Sequence, residues 1–500
     1  MKRLSALWAN DKLINTCTIW GNPEVLVSSV CIHSKNCQEA SLFVATKGLH
    51  TDGHLYIKEA IELGATTIVH SSVIDSFVDG ITYIKTDDIM LLASLFSYNL
   101  YGPYPSFIIG VTGTDGKSST CEFLHSILTS IGLTCGLLST TSIDTGLGKH
   151  PSPYRMSTPE VDILYPFLHE CYLNGVDYVI LEATSHGLSP RTARLTHITF
   201  SAAIISNITS EHLDFHLTQE SYIDDKMNLV RQLCPNSPII IQDTFTYRDT
   251  VESILENKSQ LYTYAVESPS NEALIKASTV NVCMEERTLI IQKGEEEIEF
   301  PLPYAVGIYT NNFMASLTLA SVVTNYPLKN LLGPSLKLGT IKGRFEIIYN
   351  QHDKIIINDF AHTKNGFFHL FSFLRIMYPQ KRLIALFGAA GERDTSKRKE
   401  LGEMAFTFCS IIYLTDEDSR GEDVRDIIED IKKGFTHHTQ KKVFEFIDRK
   451  EAVQKAISHM EPGDILLLLG KGHEKSIDHG SYKEAYDETE TALEAIGRIH

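Results

Sequence analysis

Short apolar runs recur along this chain and alternate with stretches whose apolar residues fall three and four positions apart. Phe107-Ile108-Ile109-Gly110-Val111, Val179-Ile180-Leu181, Ala202 to Ile205, Ile355-Ile356-Ile357, Leu383-Ile384-Ala385-Leu386-Phe387, Ile411-Ile412-Tyr413-Leu414 and Ile465 to Leu469 read as buried strands. After the first of them, Phe123, Leu124, Ile127, Leu128 and Ile131 form the stripe of an amphipathic helix. Strand and helix signals alternate throughout, the pattern of an α/β protein with largely parallel sheets. Two stretches interrupt it. Asn99-Leu100-Tyr101-Gly102-Pro103-Tyr104-Pro105 reads as a loop by its Gly and Pro content, and a second break falls near Leu338-Gly339-Thr340-Ile341-Lys342-Gly343-Arg344.

Length turns these breaks into boundaries. Five hundred residues exceed what one hydrophobic core organises, so three domains are expected, at 1–103, 104–340 and 341–500. The first is α/β, the second a P-loop-type parallel sheet, the third Rossmann-like. The formal net charge of −17 excludes a protein that coats nucleic acid, which needs a basic face. It leaves room for a small anionic substrate held by a local cluster of Arg, Lys and helix N-termini. The nine cysteines (Cys17, Cys31, Cys37, Cys121, Cys135, Cys171, Cys234, Cys283 and Cys409) are scattered and form no C-x-x-C pair. That reads as reduced thiols in a cytoplasmic protein. No long apolar stretch follows Met1-Lys2-Arg3, and the longest apolar runs are far too short to span a bilayer, so no membrane insertion is expected.

The most informative stretch is Gly110-Val111-Thr112-Gly113-Thr114-Asp115-Gly116-Lys117-Ser118-Ser119-Thr120. An apolar strand feeds a glycine-containing turn, and the turn opens into a helix. Glycines let the backbone wrap a polyphosphate, so that N–H groups and the helix N-terminus face the anion. Lys117 would reach the terminal phosphates and the Ser118 hydroxyl would ligate Mg²⁺. The strict pattern G-x-x-x-x-G-K-S/T has glycine where this chain has Val111, with Gly110 one place upstream. The plainer alternative is a glycine turn before an ordinary helix. Magnesium takes hard oxygen ligands, and Glu182 at the end of the Val179-Ile180-Leu181 strand sits where a neighbouring parallel strand supplies one. His212, in Asn207-Ile-Thr-Ser-Glu211-His212-Leu213-Asp214-Phe-His216, reads by itself as a hydrogen-bonded structural histidine, and Lys226 as a surface lysine.

Together these residues resemble the Mur ligases. Thr112 to Ser119 matches their nucleotide motif T-G-T-N/D-G-K-S/T-S/T, with Asp115 where asparagine is commoner. Within the family the chain is similar to the MurE branch, the tripeptide synthetases, over essentially its whole length. His33-Ser34-Lys35 is similar to D-S-R, and Leu42 to Gly48 with Thr51-Asp52-Gly53-His54 is close to the branch's uridine-site pattern. Ser157-Thr158-Pro159 resembles T-T-P, and Glu182 to Leu188 resembles E-V-S-S-H-G-L. Tyr222-Ile-Asp-Asp-Lys226 resembles Y-x-x-A-K. The C-terminal part adds Lys342-Gly343-Arg344-Phe345-Glu346, Asp359-Phe360-Ala361-His362-Thr363, Gly391-Glu392-Arg393-Asp394 with Lys397-Arg398, and Gly470-Lys471-Gly472-His473-Glu474. Two elements depart from the pattern: G-x-F-N-x-x-N is reduced to Gly307-Ile-Tyr-Thr-Asn-Asn312, and DYAHTPD has become DFAHT followed by Lys364 and Asn365.

The resemblance implies an ATP-dependent amide ligase that adds a diamino acid to UDP-N-acetylmuramoyl-L-alanyl-D-glutamate through an acyl phosphate, in peptidoglycan precursor synthesis. It implies that the N-terminal domain binds the UDP moiety and the central domain is an ATPase. ATP would lie against Gly113, Thr114, Asp115, Gly116, Lys117, Ser118 and Ser119, with Asn312, Arg344, Asp359 and His362 completing its site. Ser34, Ser157, Thr158, Thr184 and Arg194 would hold the UDP substrate, Arg194 rather than Arg191 meeting its phosphates. One Mg²⁺ would sit on Ser118 and Glu182, a second on His212 and on Lys226 as its carbamate (N6-carboxylysine); Lys117, His212 and Lys226 are the catalytic candidates. Arg393, Glu417, Asp418, Arg420, Gly470 and Glu474 would take the amino acid. Arg420 favours a distal carboxylate, as on meso-diaminopimelate, whereas Asp418 in place of asparagine favours a terminal ammonium, as on lysine or ornithine. No obligate protein partner is implied. The alternatives are another Mur ligase or a folylpolyglutamate-type ligase, or a non-catalytic nucleotide-binding regulator of cell-wall assembly.

Overall fold

A computed structural model describes the chain except residues 9–10, 49–50, 75, 155, 210–212, 256–259, 268–271, 283–285, 304–306, 436–440 and 498–500. Its three principal sheets follow one another along the sequence, and the fold is mixed α/β with parallel-rich sheets.

The first sheet runs Thr18–Trp20, Thr82–Lys85, Ala65–His70, Ser41–Ala45, Ser29–Cys31, parallel except for its first pair. The helix Ile89–Tyr101 follows it. Asn99, Leu100 and Tyr101, expected in a loop, form the last turn of this helix because its apolar stripe of Leu92, Phe96 and Leu100 continues to the end. The break begins only at Gly102, whose backbone is non-helical, and Pro103 cannot donate the next hydrogen bond. The helix packs on Val161–Leu173, with the Ser94 hydroxyl 3.0 Å from that of Tyr165, so the first sheet and one face of the second share a core.

The second sheet has eleven strands. Its centre is Cys135–Leu138, Tyr178–Glu182, Ile108–Thr112, Ala202–Ile205 and Ile239–Gln242, all parallel. Alternate residues of these strands enter opposite cores. Val179, Leu181, Ala203 and Ile205 face the side of Val161–Leu173, while Ile180, Ala202 and Ile204 face Phe123, Leu124, Ile127 and Leu128 of the helix Lys117–Ser130. A sheet covered on both faces needs apolar residues at successive positions, which is why its strands read as unbroken apolar runs. Truncating one of these leucines or isoleucines to alanine costs about 2–5 kcal/mol, a large share of a domain's stability. Beyond the centre the sheet continues through an antiparallel extension, Ile275–Val282, Glu286–Lys293 and Glu296–Pro303. The chain returns from it as the helix Thr310–Thr324, which packs beside Lys117–Ser130.

The third sheet runs Glu346–Gln351, Lys354–Asp359, Asp464–Leu469, Arg382–Phe387, Ile411–Leu414, Lys442–Glu445, parallel except for its first pair. It too is covered on both faces, with Ile355, Ile357, Leu467 and Leu469 in one core and Ile356, Leu466 and Leu468 in the other. All the strands expected from apolar runs form, within a residue or two at their ends. The eight described cysteines carry free thiols, and Cys283 lies outside the described residues. No helix among the described residues is long and apolar enough to cross a membrane.

Candidate active site

The strand Ile108–Thr112 lies between Tyr178–Glu182 and Ala202–Ile205, and Val111 pairs with Glu182 on one side and Ile204 on the other. Val111 is therefore a core residue of the strand, and the loop proper begins at Gly113. Gly110 has a packing role: a Cβ there would lie 2.3 Å from Leu229 Cδ1. Two other glycines shape the loop. Gly113 has φ +152 and leaves 1.9 Å between a Cβ and Ser206 Oγ; Gly116 has φ +83 and leaves 2.1 Å to Asn312 Nδ2.

Side chains from far along the sequence then latch the loop. Thr114 N–H donates to Asn207 O at 2.8 Å, Asp115 N–H to Asn207 Oδ1 at 2.9 Å, and the Ser206 hydroxyl to Asp115 O at 2.7 Å. The Thr114 and Tyr222 hydroxyls are 2.9 Å apart. Asn312 Nδ2 donates to Gly116 O at 3.2 Å and Thr120 Oγ1 at 3.0 Å, so Asn312 stands behind the loop. Lys117 folds back, its ammonium donating to Gly113 O at 3.1 Å and Thr114 O at 2.8 Å. Lys226 donates to the same Gly113 carbonyl at 2.7 Å from a position 1% exposed, with its Nζ 4.6 Å above the Tyr222 ring. It is a core lysine under the loop, not the surface lysine that it reads as by itself.

Glu182, buried at its strand end, gathers hydroxyls. Its Oε2 accepts from Ser118 Oγ, from Thr140 N–H and from Thr140 Oγ1, each at 3.0 Å. Ser118, Glu182 and Thr140 thus offer a set of hard oxygens suited to Mg²⁺. Lys226 as a free amine offers nitrogen only, and as a carbamate it would offer oxygen. His212 lies outside the described residues. Among the described residues no three His, Cys, Asp or Glu side chains cluster as a metal site.

Next to Glu182 lies a second network. Thr158 Oγ1 donates to Glu182 O at 2.7 Å and accepts from both Thr184 N–H and Thr184 Oγ1 at 3.0 Å. Ser157 and Thr140 hydroxyls meet at 2.5 Å, and Arg194 donates to Thr158 O at 2.9 Å while pairing with Glu160. Arg191 instead covers the Phe215 ring. Ser34 stands apart in the first sheet's region, bonded to Glu59.

The third sheet turns a further group of side chains toward the loop. One cleft of about 740 Å³ is lined by Thr114, Asp115, Gly116, Lys117, Ser118, Ser157, Glu182 and Thr184 from the second sheet's side. Arg344, His362, Arg393, Glu417, Asp418, Arg420, Gly470 and Glu474 line it from the third. Gly113, Ser119, Asn312, Asp359, Thr158, Arg194, Lys226 and Ser34 do not line it. Asp359 is an internal clamp, its carboxylate accepting from Tyr309 O–H, Phe345 N–H and Ala361 N–H at 2.7 Å each. Arg344 covers the Phe360 ring, and His362 Nδ1 meets Phe360 O at 2.8 Å. Lys364 and Asn365 open the helix Lys364–Met377, capped by Thr363, whose hydroxyl also reaches Asp115 at 3.4 Å across the cleft.

In the amino-acid half of the cleft, Asp418 Oδ1 accepts from the Lys471 ammonium at 2.9 Å and from Asp478 N–H at 2.8 Å, and Lys471 also meets Glu474 at 2.5 Å. Burial opposes the charge on Lys471, but these two carboxylates outweigh it and hold its pKa above the ordinary lysine value. Gly470, at φ +96, gives way to Glu417, whose Oε2 would lie 2.3 Å from a Cβ. Thr140 and Thr363 were not among the site residues expected. The signal for Thr140 was present, since Ser139-Thr140-Thr141-Ser142 follows an apolar strand parallel to that of Glu182.

Known proteins are similar to this chain over most of its length. The Mur ligase middle-domain model matches residues 111–320, the glutamate ligase domain model 343–472, and the Mur ligase family catalytic-domain model 26–81. The UDP-N-acetylmuramyl-tripeptide synthetase of Borreliella afzelii is 35% identical over 485 residues, 95% of this chain and 94% of that protein. The UDP-N-acetylmuramoyl-L-alanyl-D-glutamate–2,6-diaminopimelate ligase of Caldanaerobacter subterraneus is 32% identical over 482 residues, 96% of each. Among solved structures, the MurF ligase of Thermotoga maritima in complex with ADP aligns with a TM-score of 0.66 at 17% identity, covering 95% of this chain and 98% of that one. On the matched domains and the full-length identity, the chain belongs to the Mur ligase family.

Proposed function

We propose that this chain is an ATP-dependent ligase that joins a diamino acid to UDP-N-acetylmuramoyl-L-alanyl-D-glutamate in the cytoplasm, as a step of peptidoglycan precursor synthesis. The observation that carries the reading is the single cleft in which the phosphate loop faces Arg393, Asp418, Arg420 and Glu474. It agrees with relatives of 32–35% identity named for tripeptide synthesis and diaminopimelate addition.

The chemistry suits these residues. A peptide carboxylate is a poor electrophile. Its oxygen attacks the γ-phosphorus of ATP, the bond to ADP breaks, and an acyl phosphate forms. The amine then attacks the acyl carbon through a tetrahedral intermediate, loses its proton, and phosphate leaves. Phosphoryl transfer of this kind depends on position and charge more than on covalent catalysis. Lys117 would exchange its two carbonyl partners for the terminal phosphates. Ser118 and Glu182 would hold one Mg²⁺, His212 and carbamylated Lys226 a second, and bound Mg²⁺ neutralises charge on the transferring group. Ser157, Thr158, Thr184 and Arg194 would orient the UDP substrate beside Glu182, with Ser34 at its far end. ATP would extend from the loop toward Arg344 and His362, with Asn312 and Asp359 supporting from behind. Arg393 would take the α-carboxylate of the diamino acid, and Glu417, Asp418, Arg420, Gly470 and Glu474 would surround its distal end.

The test offers purified enzyme ATP, Mg²⁺, the UDP-dipeptide and, separately, meso-diaminopimelate, lysine and ornithine. Phosphate release that requires both the UDP-dipeptide and one of the three amines is expected. Release that none of them stimulates would sink the reading. Lys117→Ala should lower turnover about 100-fold or more while the UDP-dipeptide still binds.

A further inference from the structure

The helix Gln219–Arg231 carries two adjacent residues with separate roles. Lys226 reaches the phosphate loop. Asp225, beside it, is only 8% exposed. A carboxylate at a buried position destabilises the fold by several kcal/mol unless it is paired. The partner is His216, whose Nδ1 lies 2.9 Å from Asp225 Oδ2 and whose Nε2 lies 3.0 Å from Ser185 Oγ. With the ring proton assigned to Nδ1, the imidazole donates to Asp225 and accepts from the Ser185 hydroxyl, so both ring nitrogens are satisfied. The ring also stands edge-on to Tyr222, with centroids 5.2 Å apart, and it is Tyr222 that meets Thr114 in the loop and carries Lys226 over its face.

Serine, histidine and aspartate bonded in this order also form the nucleophile, base and orienting acid of a hydrolase. Ser185 is 2% exposed and does not line the cleft, so no substrate carbonyl reaches it. The bonds act instead as a clamp between the strand end bearing Glu182 and the helix bearing Lys226. Ser185 follows the strand Tyr178–Glu182, His216 closes the short helix Leu213–His216, and Asp225 precedes Lys226.

We infer that Asp225 and His216 are positioning residues for the divalent-ion site, a buried brace that fixes the helix bearing Lys226 against the strand end bearing Glu182. The inference rests on the proposed function for what the ion does, and on the hydrogen bonds for where it is held.

Asp225→Ala removes the carboxylate without adding bulk, and a cooperative melting transition establishes that the variant folds. Mn²⁺ serves as a paramagnetic probe, its binding in the presence of ATP read by electron paramagnetic resonance. Asp225→Ala and His216→Asn should each weaken ATP-dependent Mn²⁺ binding about 10-fold or more. The double variant should be little weaker than the weaker single one, because both changes break one unit. Affinity for the UDP-dipeptide should stay within about twofold. Wild-type Mn²⁺ affinity in folded Asp225→Ala overturns the inference; should His216→Asn not fold, Ser185→Ala breaks the same brace at its other end. If the wild-type enzyme binds Mn²⁺ with ATP yet releases no phosphate with any diamino acid, the ligase reading fails while this one stands.

Discussion

At His473 burial and its neighbours act in one direction. Its Nδ1 is enclosed with no hydrogen-bond partner among the described residues. Burial, reinforced by the charges of Arg344, Lys471, Lys342 and Lys475, pushes the imidazole down to about 3 from an ordinary 6.5. The folded protein therefore keeps the ring neutral while the unfolded chain takes up a proton below about 6.5. The unfolded state then binds more protons, and stability is lost progressively as pH falls from about 6.5 toward 3. Replacing His473 by Asn should remove this contribution, so melting temperatures measured from pH 7.5 to 4.5 should fall less steeply in the variant than in the wild type. Equal slopes would mean that the ring is hydrated and titrates normally. The same enclosure places His473 against Gly343, where a Cβ would meet His473 N at 2.2 Å. That contact requires glycine at 343, while Gly472 has φ +51 and leaves 2.7 Å between a Cβ and that of Phe360.

Among the elements, the helix Lys364–Met377 bears most directly on the site. Thr363 caps it by accepting from Gly366 N–H at 3.0 Å, and the same hydroxyl reaches the Asp115 carboxylate. Thr363→Ala should cost about 1 kcal/mol of stability through the lost cap and should also raise the KM for ATP; a melting shift with unchanged KM would show that the Asp115 contact is idle. The strands and the Lys117–Ser130 helix were legible in the sequence because doubly covered parallel sheets and amphipathic helices write their periods directly into apolar residues. The loop's own glycines were harder to assign. Gly110 lies in the motif for the sake of Leu229, a residue whose proximity only the folded chain creates. Asn99 to Tyr101 were misplaced because Gly102 and Pro103 signal a break whose start they do not fix. The side chains nearest the chemistry were readable as a family pattern, but their partners were not: nothing local to Asp225 announces His216, nor anything near Asp418 the ammonium of Lys471.

For the molecule as a whole, the cleft joins two sheets that each have cores of their own. Such an arrangement favours closure on binding. Small-angle scattering should show a smaller radius of gyration with a non-hydrolysable ATP analogue and the UDP-dipeptide together than without ligands. An unchanged radius would mean that the protein is already closed. The latch on the phosphate loop has a consequence for how the protein comes into being. The carbonyl of Gly116 is held by Asn312, 196 residues later, after the chain has passed through every remaining strand of the central sheet. Chains emerge from the ribosome N-terminal end first, so a nascent chain possesses the lysine and serine of the cradle long before the amide that fastens it. Complete fastening of the loop is thereby postponed until the second sheet has been synthesised to its last strand, and a prematurely terminated fragment keeps the holds of Ser206, Asn207 and Tyr222 but lacks that of Asn312 on Gly116.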